Sequence, residues 1–206
     1  MSHSDSVNTH AHKDNMGAKM GMWLFLFTEL LLFGGLFLVY AVYRFQNPLQ
    51  FKLAAMELNT ALGTLNTVIL LTSSLTVALA ITALQKGNKF LSLVFLGITL
   101  VFAFSFMVNK FFEWSAKISH GLYPKSEVML NKTSGEILFF GLYYVMTGLH
   151  GLHVLIGIII LSVMFFAILK DKINENDSVK LENSGLYWHL VDLIWIFLFP
   201  LFYLIH

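Results

Sequence analysis

The sequence predicts an all-α fold: a polytopic membrane protein built as a five-transmembrane-helix bundle. Three observations carry this. Of 206 residues, 57% are hydrophobic and 15% aromatic. Charged residues make up only 12%, against ~25% in a soluble domain, so a soluble fold of this size could not cover its apolar surface. Five apolar runs reach the roughly 20 residues that cross a hydrocarbon core. Helices are the expected spanning form because lipid offers backbone groups no hydrogen bonds. The formal charge of +1 argues against nucleic acid as a partner. Cysteine is absent, which excludes disulfides, thiolate nucleophiles and Cys-ligated clusters.

Residues 1–20 read as a polar N-terminal tail with no apolar core of a signal peptide. His3, His10 and His12 make it His-rich, and its composition favours a disordered tail over a weak metal site. Residues 21–206 form the transmembrane domain, with spans at about 21–43, 58–84, 90–112, 136–169 and 185–205. The first acts as an uncleaved anchor. The fourth is too long to lie wholly in lipid and should protrude or tilt. Pro200 in the fifth is expected to free the Ile196 carbonyl and kink the helix. The connectors Arg44–Glu57, Gln85–Lys89, Ser115–Gly135 and Lys170–Ser184 are polar, and none reads as an independent domain. Gly121, Pro124 and Gly135 punctuate the third connector as a loop. Leu-Asn-Thr occurs at 58–60 and 65–67, on one helical face, without amounting to a repeat architecture.

Five spans put the termini on opposite sides. With the N-terminus cytoplasmic, seven basic residues fall inside (Lys13, Lys19, Lys86, Lys89, Lys170, Lys172, Lys180) and six outside (Arg44, Lys52, Lys110, Lys117, Lys125, Lys132). Lys110 sits near a helix end and counts weakly, so the positive-inside rule places the N-terminus in the cytoplasm and the C-terminus outside.

Within the spans, polar residues stand out against the apolar background. Glu29 lies roughly 10 Å inside the first span, counting 1.5 Å per residue. A charged carboxylate there costs at least ~2.5–3.5 kcal/mol on insertion scales, so the acid must be neutral, partnered or both. It reads as a proton carrier or as an acid held by a histidine, and the structural partner is preferred because the first span offers no second acid for a relay. His150 and His153, spaced i, i+3, share a face. They could form a metal pair or proton relay, but a metal site needs further ligands, and hydrogen bonding to neighbouring helices is the stronger reading. Gly141, Gly148, Gly151 and Gly157 on that helix let other backbones approach, which makes it the expected central helix. His189 and Asp192, also i, i+3, can satisfy each other, with an indole bond from Trp188 to Asp192 as a variant. Trp23, Trp188 and Trp195 read as aromatic anchors at the membrane interface. Asn66, Lys110 and Glu113 form either a buried polar layer or, for the two charges, a snorkelling pair at the outer headgroups. No catalytic, metal or cofactor-binding residue is assigned. Haem would need axial ligands on facing helices, with His189 the remaining intramembrane candidate beside His150 or His153.

These motifs resemble subunit III of cytochrome c oxidase, in the haem–copper oxidase family. Four stretches carry the resemblance: Trp23-Leu-Phe-Leu-Phe-Thr-Glu29 with the following Phe33-Gly-Gly; Leu65-Asn-Thr-Val-Ile-Leu-Leu-Thr-Ser-Ser74; Gly148-Leu-His-Gly-Leu-His153 through Ile156-Gly157; and Tyr187-Trp-His-Leu-Val-Asp-Leu-Ile-Trp195. Asn109-Lys-Phe-Phe-Glu113-Trp is a looser fifth match. Together they touch all five spans in the family's order.

The resemblance implies a cofactor-free accessory subunit in a bacterial inner (plasma) membrane. It would pack on oxidase subunit I, which holds the haems and copper, and meet other oxidase subunits and membrane phospholipids. It would support proton uptake and protect the enzyme during turnover. Glu29 matches the family's membrane-embedded glutamate, and His150, His153, Glu113, His189 and Asp192 match its other intramembrane polar positions. Longer members have seven spans; the first two are missing here, which resembles the short bacterial form and leaves open what forms their lipid cleft. Lys110 stands where longer forms often carry Gln. The rivals are a quinol-oxidase or nitric-oxide-reductase-associated subunit III, a free-standing proton or ion carrier using Glu29, His150 and His153, and a haem-binding quinone reductase subunit. The inverted repeats and broken helices common in carriers are not visible.

Overall fold

A computed structural model describes residues 4–123, 126–173 and 178–205; the side chains of residues 4–15, Glu127 and Leu130 are outside the description. His3, Pro124 and Lys125 therefore lie outside the described residues, as do the side chains of His10 and His12. The described secondary structure is helical: α1 (Ser4–Gln46), α2 (Pro48–Ala55), α3 (Thr60–Gln85), α4 (Lys89–Ser119), α5 (Glu127–Leu130), α6 (Ser134–Leu169) and α7 (Val179–Tyr203). Five of these, α1 from Met16 together with α3, α4, α6 and α7, are long and apolar enough to cross a membrane.

Helix α1 begins at Ser4, so the expected polar tail continues the first helix rather than forming a separate coil. Its inward stripe is Leu26, Phe33 and Tyr40, seven residues apart, which is two helical turns each. Trp23, Leu24, Phe27, Leu31 and Leu38 point outward and are exposed. The connector expected at Arg44–Glu57 contains α2 instead. Pro48 opens it, where a missing N–H costs nothing, and Phe51, Ala54 and Ala55 bury one face. Phe51 meets Tyr40 and Phe139 edge-on at 5.5 and 5.4 Å.

Helices α3 and α4 form a tight antiparallel hairpin. Asn59 and Asn88 cap their N-termini, accepting from Leu62 and Leu91 N–H at 3.2 and 3.1 Å. Between them Gly87 takes φ 76°, the left-handed conformation in which glycine ends a helix without a Cβ clash. The third span was expected to stop at 112, but α4 runs to Ser119. Lys110 and Glu113 read as the polar end of the span and Lys117 as part of the following connector, yet the three recur at i, i+3 and i+7 and are buried as one face. Helix α7 likewise starts at Val179, six residues before the expected boundary. Glu182 in its first turn is tied to Lys19 of α1 at 3.1 Å and Gln85 of α3 at 2.9 Å, and those ties hold the extra turns. Helix α6 has 36 residues, about 54 Å at 1.5 Å per residue, well beyond the hydrocarbon core.

Helix α7, not α6, is the most buried of the spans. It packs against α1, α3 and α6, and Trp188 and Trp195 are fully enclosed. Only part of the glycine face of α6 carries a close approach: a Cβ on Gly157 would stand 2.7 Å from the Trp188 ring, whereas Gly141 and Gly151 face open space.

Candidate functional site: the buried polar clusters

Three polar clusters lie inside the bundle. The first joins α1 to α6. His153 Nε2 is 2.9 Å from Glu29 Oε2, and His153 Nδ1 is 2.8 Å from the Leu149 carbonyl. A carbonyl only accepts, so Nδ1 carries hydrogen, and Nε2 either accepts from a protonated Glu29 or donates to its carboxylate. Both arrangements place one proton between the two groups. Phe33 sits edge-on to the His153 ring at 5.4 Å, and Tyr187 donates to the His153 carbonyl at 3.1 Å.

His150 does not join this pair. It is buried between Phe106, edge-on at 5.7 Å, and Trp195, tilted at 5.2 Å, and neither ring nitrogen has a protein hydrogen-bond partner. The two histidines share a helix face at the backbone, yet their rings find different neighbours: His153 meets α1, and His150 meets α4 and α7. They do not converge as a metal pair, and among the described residues no group of three or more His, Cys, Asp or Glu could hold a metal ion.

The second cluster bolts α7 to α3. Trp188 Nε1 donates to Ser73 Oγ at 3.0 Å, Trp195 Nε1 donates to Thr67 Oγ1 at 3.0 Å, and His189 Nδ1 pairs with Ser74 Oγ at 2.6 Å. This corrects two expectations. Trp188 and Trp195 are interior bolts rather than interfacial anchors, because hydroxyls on α3 satisfy their N–H groups inside the bundle. Trp23, at 63% exposed, is the outward-facing tryptophan of the three. His189 and Asp192 do not satisfy each other either: Ser74 takes the imidazole, and the buried Asp192 carboxyl receives no bond from His189 or Trp188. The serines and threonine carried a signal that went unread: Thr67 and Ser74 are seven residues apart, on the face that meets α7.

The third cluster lies toward the far end of α4. Lys110 Nζ is 3.0 Å from Glu113 Oε2 and 2.8 Å from the Tyr203 hydroxyl. Glu113 Oε1 accepts from both Tyr143 at 2.8 Å and Tyr203 at 2.5 Å. Lys110 and Glu113 are 7% and 4% exposed, which rules out a snorkelling pair. Asn66 is not part of this cluster; its Oδ1 accepts from Asn109 at 3.0 Å. Tyr143 and Tyr203 were missed because a lone tyrosine in an apolar helix reads as core. Beyond the cluster, Lys117 donates to the Glu57 carbonyl, and Lys132 bridges Glu57 and Glu136 at 2.5 and 3.3 Å. Burial pushes the Lys132 ammonium down, but the bonds and charges of Glu57 and Glu136 outweigh it and hold it above its ordinary value.

The architecture is thus a polytopic helical bundle, with five helices long and apolar enough to cross a membrane, whose described interior polar groups mostly bind one another. A family model for cytochrome c oxidase subunit III matches residues 1–206, the whole chain. The chain is 32% identical over 197 residues to cytochrome c oxidase subunit 3 of Thermostichus vulcanus, covering 95% of this chain and 91% of that one. It is 28% identical over 206 residues to a probable quinol oxidase subunit 3 of Staphylococcus saprophyticus, covering 100% of this chain and 97% of the relative. It is also 28% identical over 193 residues to a haem-copper oxidase subunit I+III of Aeropyrum pernix, covering 91% of this chain and 22% of that longer protein. The chain belongs to the cytochrome c oxidase subunit III family and is a subunit III of the haem–copper oxidases.

Proposed function

We propose that this subunit works as an accessory, redox-centre-free part of a terminal oxidase in a bacterial plasma membrane. It packs beside subunit I, which carries haem and copper, and it retains phospholipid and supports proton uptake there. The N-terminus is cytoplasmic and the C-terminus outside. The chain catalyses nothing alone. The observation that carries this reading is the contact of Glu29 with His153: the acid placed most expensively in the membrane is committed to holding α1 on α6. The Aeropyrum relative, named as subunit I+III, supports subunit I as the neighbour, since that name places the two subunits on one chain.

Mass spectrometry of the gently extracted complex tests the reading. Recovery of this chain with a haem-bearing subunit and retained phospholipid is expected, together with an isolated chain that shows no visible haem band. Iron or copper bound by the isolated chain, or a chain that never copurifies with an oxidase, overturns it. A proton flux through vesicles holding this chain alone would favour the carrier reading instead. A quinol-oxidase assignment is favoured by the Staphylococcus relative, which matches end to end; a quinol-reactive rather than cytochrome-c-reactive complex would decide for it.

A further inference from the structure

Five aromatic rings form an unbroken file through the third cluster. Trp195 lies 6.3 Å from Tyr203, Tyr203 6.4 Å from Tyr143, Tyr143 5.4 Å from Tyr144, and Tyr144 5.8 Å from Trp114. Trp195, Tyr203 and Tyr143 are sealed from solvent; Tyr144 and Trp114 are partly exposed. Rings at such separations exchange electrons readily. What decides whether a phenol can take part is the fate of its proton, because oxidising a phenol makes its O–H strongly acidic.

Here five of the chain's seven tyrosines divide by the acceptor each one meets. Tyr40, Tyr144 and Tyr187 donate to the backbone carbonyls of Leu201, Leu122 and His153, which cannot take a proton. Tyr143 and Tyr203 donate to a carboxylate, and to the same oxygen of it, Glu113 Oε1. Lys110 Nζ stands 4.6 Å from the Trp195 ring centre. A fixed cation over an indole opposes a cation radical there, whereas a neutral phenoxyl beside it escapes that repulsion.

We propose that Tyr143 and Tyr203, with Glu113 as their common proton acceptor, form a redox-active pair: a one-electron relay along the file from Tyr203 through Tyr143 and Tyr144 to Trp114. In the oxidising step one phenol gives an electron to a high-potential one-electron oxidant outside the chain. Its O–H bond breaks, a new O–H bond forms on Glu113, and a neutral phenoxyl radical remains while the oxidant is reduced by one electron. Return of one electron and the proton restores the phenol. Glu113 also lines a cavity of about 380 Å³ whose wall includes the exposed Glu57 and His120, which gives the proton a route for exchange. In the cell the oxidant would come from the adjoining redox subunit, so the physiological role rests on the proposed function; the chemistry of the pair does not.

The test uses the full chain in detergent, oxidised by photogenerated tris(bipyridine)ruthenium(III), and reads the phenoxyl radical by absorption and electron paramagnetic resonance. A persistent phenoxyl signal is expected, formed more slowly in D₂O. Tyr143→Phe and Tyr203→Phe should each weaken it, and the double variant should lose it, with helical circular dichroism retained. Glu113→Gln keeps an acceptor oxygen but cannot take the proton, so its radical yield should become dependent on bulk pH. Tyr123→Phe, at an exposed position, should leave the signal unchanged. The proposal is overturned if the wild-type chain gives no persistent radical, if the double variant keeps it, or if the signal follows Tyr123. Copurification with an oxidase does not enter these outcomes, so failure here is distinguishable from failure of the functional assignment.

Discussion

Glu29 and His153 stand 2.9 Å apart although 124 positions separate them in sequence, and their contact fastens the least buried of the five spans to α6. Because His153 Nδ1 is fixed by the Leu149 carbonyl, the pair behaves as one donor–acceptor unit with a single proton between its members.

Glu29→Ala should leave His153 Nε2 without a partner and weaken the attachment of α1 by about 1–3 kcal/mol, the usual cost of a stranded buried polar group. Thermal stability in detergent and recovery of the complex would both fall, while initial electron transfer in the assembled fraction stays near wild type. Glu29→Gln, whose amide can donate to Nε2, should recover most of the loss. An assembled, long-lived Glu29→Ala complex with no oxygen turnover from the first cycle would contradict a structural role.

Lys110 and Glu113 invite a double-mutant cycle. Removing either charge alone leaves the other buried and unpaired, which costs roughly 3–5 kcal/mol. Lys110→Met with Glu113→Gln should cost clearly less than the sum of the two single changes. Additive losses, measured by unfolding in mixed micelles, would mean that the two charges do not act as a pair.

Gly157 and Gly151 lie on the same helix with opposite surroundings. Gly157→Ala drives a methyl into the Trp188 ring, with a Cβ contact of 2.7 Å, and should destabilise by about 1–3 kcal/mol. Gly151→Ala meets open space and should stay within about 0.5 kcal/mol of wild type. Equal effects at the two positions would mean that α7 does not seat on Gly157.

Lys132 supplies a pH signature. Its folded pKa is raised above the ordinary 10.5, so its contribution is fully present below that value and is lost as pH rises through the folded pKa. The tie between the α2 side of the bundle and α6 should therefore hold across neutral pH and loosen only in strong alkali. Hydrogen exchange near Glu57 would report it, and Lys132→Gln should remove the alkaline step. A loosening centred near neutral pH would assign the titration to another group.

Much of the fold was legible because lipid enforces length and apolarity, which are local properties of sequence. The five spans follow from that, and so does the singling out of Glu29 and of the His150–His153 motif. Boundaries failed where polar residues continue a helix under cover of partners from elsewhere, as with Lys110 to Lys117 on α4 and Glu182 on α7. Pairings failed for a related reason. The i, i+3 rule sees neighbours on one helix, so it joined His189 to Asp192, while the partner that won was Ser74, 115 positions away. Trp188 and Trp195 were placed at the interface because nothing in their own helix reveals that α3 presents Ser73 and Thr67 to them.

Helix α7 is the fifth span in sequence but the most buried of the five. Chains are made from the N-terminus at a pace of about 5–20 residues per second, so the first four spans enter the bilayer before the piece that holds α1, α3 and α6 together exists. Until Trp188 and Trp195 arrive, the hydroxyls of Thr67, Ser73 and Ser74 face an unfilled slot. Closure of the bundle must therefore wait for α7, and nascent chains stalled within that span should be open substrates for membrane proteases.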